Sequence, residues 1–121
     1  MDTNIPTPRR ILLVDDEVGL RTLLTRVFRH AGYEVESAGD GQAGLECFRK
    51  GSWSVVVIDR AMPVMNGEEL ATALRALSPQ TPLIMITGLP SRITQPHLFD
   101  LILEKPFRPA DILDCVARVT R

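Results

Sequence analysis

The chain alternates between short continuous apolar runs and longer stretches in which apolar residues return at helical spacing. Arg10-Ile11-Leu12-Leu13-Val14 reads as a buried strand. Val18 to Ala31 follows as a helix, with Leu20, Leu23, Leu24, Val27 and Phe28 near helical spacing and Gly32 as its stop. Tyr33 to Ala38 mixes apolar and acidic residues, as a weaker strand does. Asp40 to Lys50 is predicted helical, with Leu45 and Phe48 inward and Gly51 ending it. Ser54 to Ile58 is β-branched and is the strongest strand signal. Glu68 to Leu77 repeats Leu70, Leu74 and Leu77 on one helical face, and Ser78-Pro79-Gln80-Thr81-Pro82 breaks it. Leu83-Ile84-Met85-Ile86 and Leu101-Ile102-Leu103 are two further strands. Pro109 opens a last helix to Val119 around Ile112, Leu113, Val116 and Val119.

Strands that alternate with helices predict an α/β domain, a parallel sheet covered on both faces. The central strands are apolar throughout, as doubly covered strands must be. Between the fourth and fifth strands, Pro90 and Pro96 leave room only for a turn or a short helix.

Composition narrows the function classes. A length of 121 residues suits one domain, with 1–8 as a flexible lead and 9–121 as the folded unit. A net charge of −1 gives no overall basic field for nucleic acid and no polybasic patch for a membrane surface. No apolar run approaches the roughly 20 residues of a membrane-spanning helix. Residues 1–8 lack a secretory apolar core, so a cytoplasmic location is expected. Cys47 and Cys115 are isolated and read as small buried hydrophobes.

Candidate chemistry lies where a parallel sheet places ligands, just beyond the carboxyl ends of its strands. Asp15, Asp16 and Glu17 follow the first strand, Asp59 the third, Thr87 the fourth, and Glu104, Lys105 and Pro106 the fifth. Three carboxylates on one rim repel one another unless a divalent cation sits among them, and oxygen ligands of this kind suit Mg2+. Each residue also has an ordinary reading. Asp16 would serve as an N-cap for the first helix, and Thr87 as a β-branched strand residue. Arg60, directly after Asp59, has two readings, one projecting over the site rim to touch a partner and the ordinary one a solvated surface charge, and Trp53 reads as a half-buried packing residue. The coincidence of four strand ends favours a site in which a carboxylate attacks phosphorus and nearby cations stabilise the transferring group.

The segments Ile11-Leu12-Leu13-Val14-Asp15-Asp16-Glu17, Val57-Ile58-Asp59-Arg60-Ala61-Met62-Pro63-Val64-Met65-Asn66-Gly67, Ile84-Met85-Ile86-Thr87-Gly88 and Glu104-Lys105-Pro106-Phe107 carry a resemblance. In this order and at these spacings, the chain from Arg9 to about Val119 resembles the response-regulator receiver domain of two-component signalling. The resemblance implies a flavodoxin-like doubly wound five-stranded sheet of order 2-1-3-4-5, here with a fourth helix short or absent. It implies Asp59 as the acceptor of a phosphoryl group from phosphohistidine, on a histidine kinase or a histidine phosphotransfer domain. Asp16, Asp59 and the backbone carbonyl of Ala61 would hold Mg2+, with Asp15 acting through water. Thr87 and Lys105 would take the places of the family's hydroxyl and lysine, and Lys105–Pro106 would be cis. The Met62-Pro63 and Asn66-Gly67 pairs resemble the turn after the acceptor strand, where glycine is expected to relieve strain. No independent substrate turnover is expected. Partner interactions would switch on phosphorylation, and the acyl phosphate would be lost at a slow to moderate rate.

Two positions depart from the family's pattern. Ile102 stands where an aromatic switch residue is usual. The segment between Thr87 and Lys105 is short, as in receivers at the C-terminal end of hybrid histidine kinases, so a stand-alone regulator and a piece of a longer protein are both compatible. Two alternatives keep part of the picture. One is a receiver-like interaction scaffold that does not depend on phosphorylation. The other is a phosphohydrolase of the haloacid-dehalogenase type, which would want a second Asp two residues after the nucleophile, where Ala61 stands.

Overall fold

The computed structural model describes residues 9–62 and 64–120. The proposed lead of residues 1–8, and Pro63 of the Met62-Pro63 pair, lie outside the described residues. The five strands are β1 (Arg10–Val14), β2 (Glu34–Ala38), β3 (Val55–Asp59), β4 (Leu83–Thr87) and β5 (Leu101–Glu104). The helices are α1 (Val18–His30), α2 (Gly41–Arg49), α3 (Gly67–Leu77) and α4 (Pro109–Val119). All strand pairs are parallel, in the order β2-β1-β3-β4-β5.

Strand alternation divides the apolar runs between two cores. Leu12, Val14, Val56, Ile58 and Met85 face α2 and α3, meeting Leu45, Phe48, Leu70 and Leu74. Ile11, Leu13, Val55, Val57, Ile84 and Ile86 face α1 and α4, meeting Leu24, Phe28, Ile112 and Val116. Successive side chains of one strand therefore feed opposite layers, which is why β3 and β4 are buried along their whole length.

Several boundaries differ from the sequence reading. β2 starts at Glu34 rather than Tyr33, and β3 and β4 extend to Asp59 and Thr87, so those two polar residues belong to the strands. Asp40 is the N-cap of α2, its Oδ1 accepting from the Ala43 N–H at 2.8 Å, and not its first residue. Leu23 and Leu77, which share the helical apolar spacing, are 51% and 49% exposed, because each helix buries a narrower stripe than its apolar residues span. Cys47 and Cys115 are half-buried rather than buried. Trp53 is half-buried as expected, with Nε1 donating to the Phe48 carbonyl and the Arg10 guanidinium 4.4 Å from the ring centroid.

The segment between β4 and β5 forms two single 3-10 turns, Pro90–Arg92 and Pro96–Leu98, each opened by its proline. Leu98 and Phe99 are buried on the α2/α3 face, so two side chains do the covering work of a helix there. Two residues of α3 hold the segment down. Glu68 accepts from the Thr94 N–H (3.0 Å), the Thr94 hydroxyl (2.9 Å) and the Gln95 N–H (2.7 Å). Arg75 donates to the Leu98 carbonyl (2.9 Å) and to Asp100 Oδ2 (2.9 Å), which also accepts from the Leu83 N–H.

Burial works to raise the Glu68 pKa, but the Gln95 and Thr94 donors outweigh it and hold the carboxyl below its ordinary value. A depressed carboxylate contributes stability above its unfolded pKa and loses it as pH falls through its folded one. Glu68→Ala should therefore lower the urea midpoint near pH 7 by the equivalent of about 1–2 kcal/mol, the scale of charge-assisted bonds partly open to solvent. The deficit should shrink as pH falls below the ordinary carboxylate range. An unchanged midpoint at pH 7 would show that the clamp contributes nothing.

Candidate functional site at the carboxyl rim of the sheet

Asp59 is the last residue of β3 and is 5% exposed. Lys105, just past β5, crosses the rim and donates from Nζ to Asp59 Oδ1 at 2.8 Å. Asp15 follows β1 and is fully buried. Its Oδ1 accepts from the Glu17 N–H at 2.9 Å, while its buried Oδ2 has no hydrogen-bond partner among the described residues. Asp16, next along, is exposed. Carboxylate oxygens of Asp15, Asp16 and Asp59 lie within 4.8 Å of one another.

The capping role considered for Asp16 is not taken up. The N-cap of α1 is Glu17, and among the described residues no side-chain capping hydrogen bond is made there. A buried, unpartnered carboxylate oxygen is costly unless something outside the chain satisfies it. Three oxygen donors of this type, one still open to solvent, fit a hard divalent cation that keeps part of its water shell.

A cavity of about 250 Å3 adjoins Asp59, lined also by Arg60, Ala61, Thr87, Gly88, Leu89 and Lys105. Thr87 ends β4 and is 3% exposed. Its Oγ1 accepts from the Leu89 N–H (3.0 Å) and from Arg60 Nε (3.3 Å). The rim thus gathers Asp15, Asp16, Asp59, Ala61, Thr87 and Lys105. Ile102 stands apart on the edge strand β5, opposite Met85, and is 36% exposed. The Lys105–Pro106 bond is cis.

The charges perturb one another. Burial first, then repulsion from Asp59 and Asp16, pushes the Asp15 carboxyl up to about 6, against the pull of the Glu17 N–H and Lys105. Burial raises Asp59 as well, although the Lys105 hydrogen bond and charge oppose it. For Lys105 burial acts downward, but Asp59 outweighs it and holds the ammonium above its ordinary value. A carboxylate crowded by like charges and held by one cation is prepared to accept more positive charge or to bond to an electrophile.

Three features differ from or add to the sequence reading. Of the two readings of Arg60, the solvated charge fails: the side chain is half-buried at the rim and reaches Thr87, a contact the sequence did not predict. Gly67 does not relieve strain, since its φ is not positive. A Cβ there would meet the Asp59 carbonyl at 2.7 Å and Arg60 Cα at 2.9 Å, so glycine lets α3 dock against the acceptor backbone. Its neighbour Asn66 caps the helix reciprocally with Glu69. The strain in this loop falls on Val64, a β-branched residue at φ 70° that is 91% exposed beside the rim. Only a general prior, that strain gathers near functional sites, would have pointed to it.

Residues 11–117 match a family model described as the response regulator receiver domain. A probable transcriptional regulator, ycf27, of Guillardia theta is 33% identical over 100% of this chain and 49% of its own length. The chemotaxis response regulator CheY4 of Vibrio cholerae superposes with a TM-score of 0.87 at 33% identity, covering 93% of this chain and 99% of that one. The response regulator protein TrrA of Thermotoga maritima, solved in complex with Mg2+–BeF, superposes with a TM-score of 0.85 at 29% identity, over 92% and 98% of the two chains. The chain spans about half the length of the curated relatives it matches.

Proposed function

Because the chain belongs to the response regulator receiver domain family, phosphoacceptors of two-component signalling, we propose that Asp59 is its acceptor and that Lys105 and Thr87 serve the transferred group. The observation that carries this is the 2.8 Å bond from Lys105 Nζ to Asp59 Oδ1 inside the acidic cluster. The unit that performs the chemistry is residues 9–121, preceded by 1–8.

Asp16, Asp59 and the Ala61 carbonyl would hold Mg2+, and Asp15 would act through water. When bound, the ion offsets the crowded carboxylate charge and part of the charge on the phosphoryl oxygens. The chain's own residues do the rest. An Asp59 carboxylate oxygen forms the bond to phosphorus as the bond from phosphorus to the donor imidazole nitrogen breaks, and the imidazole leaves with a proton. Lys105 exchanges its bond to the free carboxylate for one to the phosphoryl group. The Thr87 hydroxyl donates to another phosphoryl oxygen, so that charge meets fixed donors on two sides. The donor is a histidine kinase or a histidine phosphotransfer domain, met at the cytoplasm. Neither Ala61 nor Leu89 beside the site offers a side-chain acid or amide to orient water, which supports slow to moderate loss of the phosphoryl group and no independent turnover.

The output runs through a surface that differs from the usual one, with Ile102 exposed on β5 and the β4–β5 segment clamped to α3. Phosphorylation would bias two arrangements of this rim and so the partner it favours.

The reading is tested by incubating the protein with a small phosphodonor and Mg2+ and following intact mass. A gain of one phosphoryl group per chain is expected, with none in excess chelator. Equal uptake with and without chelator would remove the metal from the site. No uptake under either condition would favour a scaffold that works unphosphorylated.

A further inference from the structure

Arg60 is rooted rigidly above the acceptor. Its N–H donates to the Ile86 carbonyl at 3.0 Å and its own carbonyl accepts from the Gly67 N–H at 2.9 Å. Its backbone is therefore fixed between β4 and the start of α3, and its side chain lies against the cavity that Asp59, Thr87 and Lys105 share. From there Nε donates to Thr87 Oγ1 at 3.3 Å, while the Leu89 N–H donates to the same atom at 3.0 Å.

A hydroxyl has two acceptor lone pairs and one hydrogen. With both lone pairs engaged, the only valence left on Thr87 Oγ1 is its hydrogen. A threonine at a strand end can otherwise turn its hydroxyl among several orientations and spend the hydrogen on a nearby carbonyl. Here two donors of fixed origin hold it as a donor. Donors oriented before charge arrives are worth more than donors that must turn to meet it.

We propose that Arg60 is a positioning residue which, with the Leu89 N–H, fixes the Thr87 hydroxyl as a hydrogen-bond donor for the phosphoryl group on Asp59. The proposal rests on the acceptor assignment above and deepens it. It assigns the work to Nε, the atom in contact, rather than to the net charge of the guanidinium. That distinction is testable because glutamine carries an N–H donor at the same position along its side chain, with no charge, whereas lysine carries the charge without that atom.

The test is a set of rates of phosphoryl uptake from a small phosphodonor in Mg2+, read by intact mass, for Arg60→Met, Arg60→Gln and Arg60→Lys. Each variant is made in the unaltered chain and in Thr87→Val, with urea midpoints to confirm folding. Arg60→Met should slow uptake about tenfold, the factor of one well-placed hydrogen bond of about 1.4 kcal/mol. Arg60→Gln should recover to within about twofold and Arg60→Lys should not, and in Thr87→Val all three should differ by less than about twofold. Equal slowing by Arg60→Met with and without the Thr87 hydroxyl would overturn the proposal, as would recovery by lysine but not glutamine. Uptake faster than the unaltered protein in Arg60→Met would overturn it too, by showing that the contact restrains Thr87. No adduct on the unaltered chain would remove the acceptor assignment and this proposal together, whereas a normal adduct with an additive cycle removes this proposal alone.

Discussion

Asp59→Asn should take up no phosphoryl group from a small phosphodonor in Mg2+, a fall in rate of at least about a thousandfold against the unaltered protein. The substitution changes the chemistry and almost nothing else. Asn has the shape of Asp, and its amide oxygen still accepts from Lys105 Nζ, which lies 2.8 Å from Oδ1 in the unaltered chain. β3 is buried throughout and packs on both cores, so the backbone that places residue 59 stays where it is. What is lost is the anion. A neutral amide is a poor nucleophile toward phosphorus and a weak ligand for a hard cation. The measurement is intact mass with peptide mapping of any adduct. Undiminished uptake on Asp59→Asn would sink the assignment of Asp59. An adduct mapped to Asp15 or Asp16, whose oxygens lie within 4.8 Å of those of Asp59, would move the acceptor along the rim.

Such a prediction is possible from sequence because a parallel sheet converts chain order into geometry. A polar residue after each apolar run falls on one rim once the strands run the same way, and Asp15, Asp59, Thr87 and Lys105 were legible for that reason. Both faces of β3 and β4 were legible as well, since an unbroken apolar run has no side to spare for water. The contact between Arg60 and Thr87 was not. It depends on the β3–β4 register, in which Asp59 pairs with Ile86 and the Arg60 N–H reaches the Ile86 carbonyl, and no local pattern encodes that pairing. The role of Gly67 failed for a related reason. A glycine needed for a left-handed turn and one needed for close approach look identical in sequence, and only the position of α3 over the Asp59 carbonyl separates them. The prolines of the β4–β5 segment announced that a full helix would not form. That Glu68 and Arg75, about 25 residues away along the chain, hold it in place is a long-range fact of packing.

The same crowding that readies Asp59 should make the metal-free protein more stable at pH 5 than at pH 7, by about 1 kcal/mol from Asp15 and further in the same direction from Asp59. Asp15 is raised from 3.8 to about 6 by burial and by its acidic neighbours, and Asp59 is raised in the same direction. A carboxyl whose folded pKa lies above its unfolded one binds its proton more tightly in the native state. Its ionised form therefore weakens the fold at neutral pH, and relief begins as pH falls through about 6 and is complete near the unfolded value. Lys105 stays protonated across this window and adds no slope. Glu68 and Asp111, both lowered, give up their contributions only in more acid solution, so the gain should peak and then reverse there. Asp15→Asn should bring about 1 kcal/mol of that gain to pH 7 and make the profile above pH 5 shallower. Its side-chain oxygen still accepts from the Glu17 N–H, and its amide hydrogens face carboxylates instead of repelling them. Mg2+ should act the other way on the unaltered chain, stabilising it more at pH 7 than at pH 5, because the ion and the proton compete for the same oxygens. Urea midpoints in chelator and in Mg2+ at the two pH values decide it. A metal-free profile that is flat or falls from pH 7 to pH 5 would mean that the three carboxylates are not destabilised at this rim, and the physical reason for a cation among them would go with it.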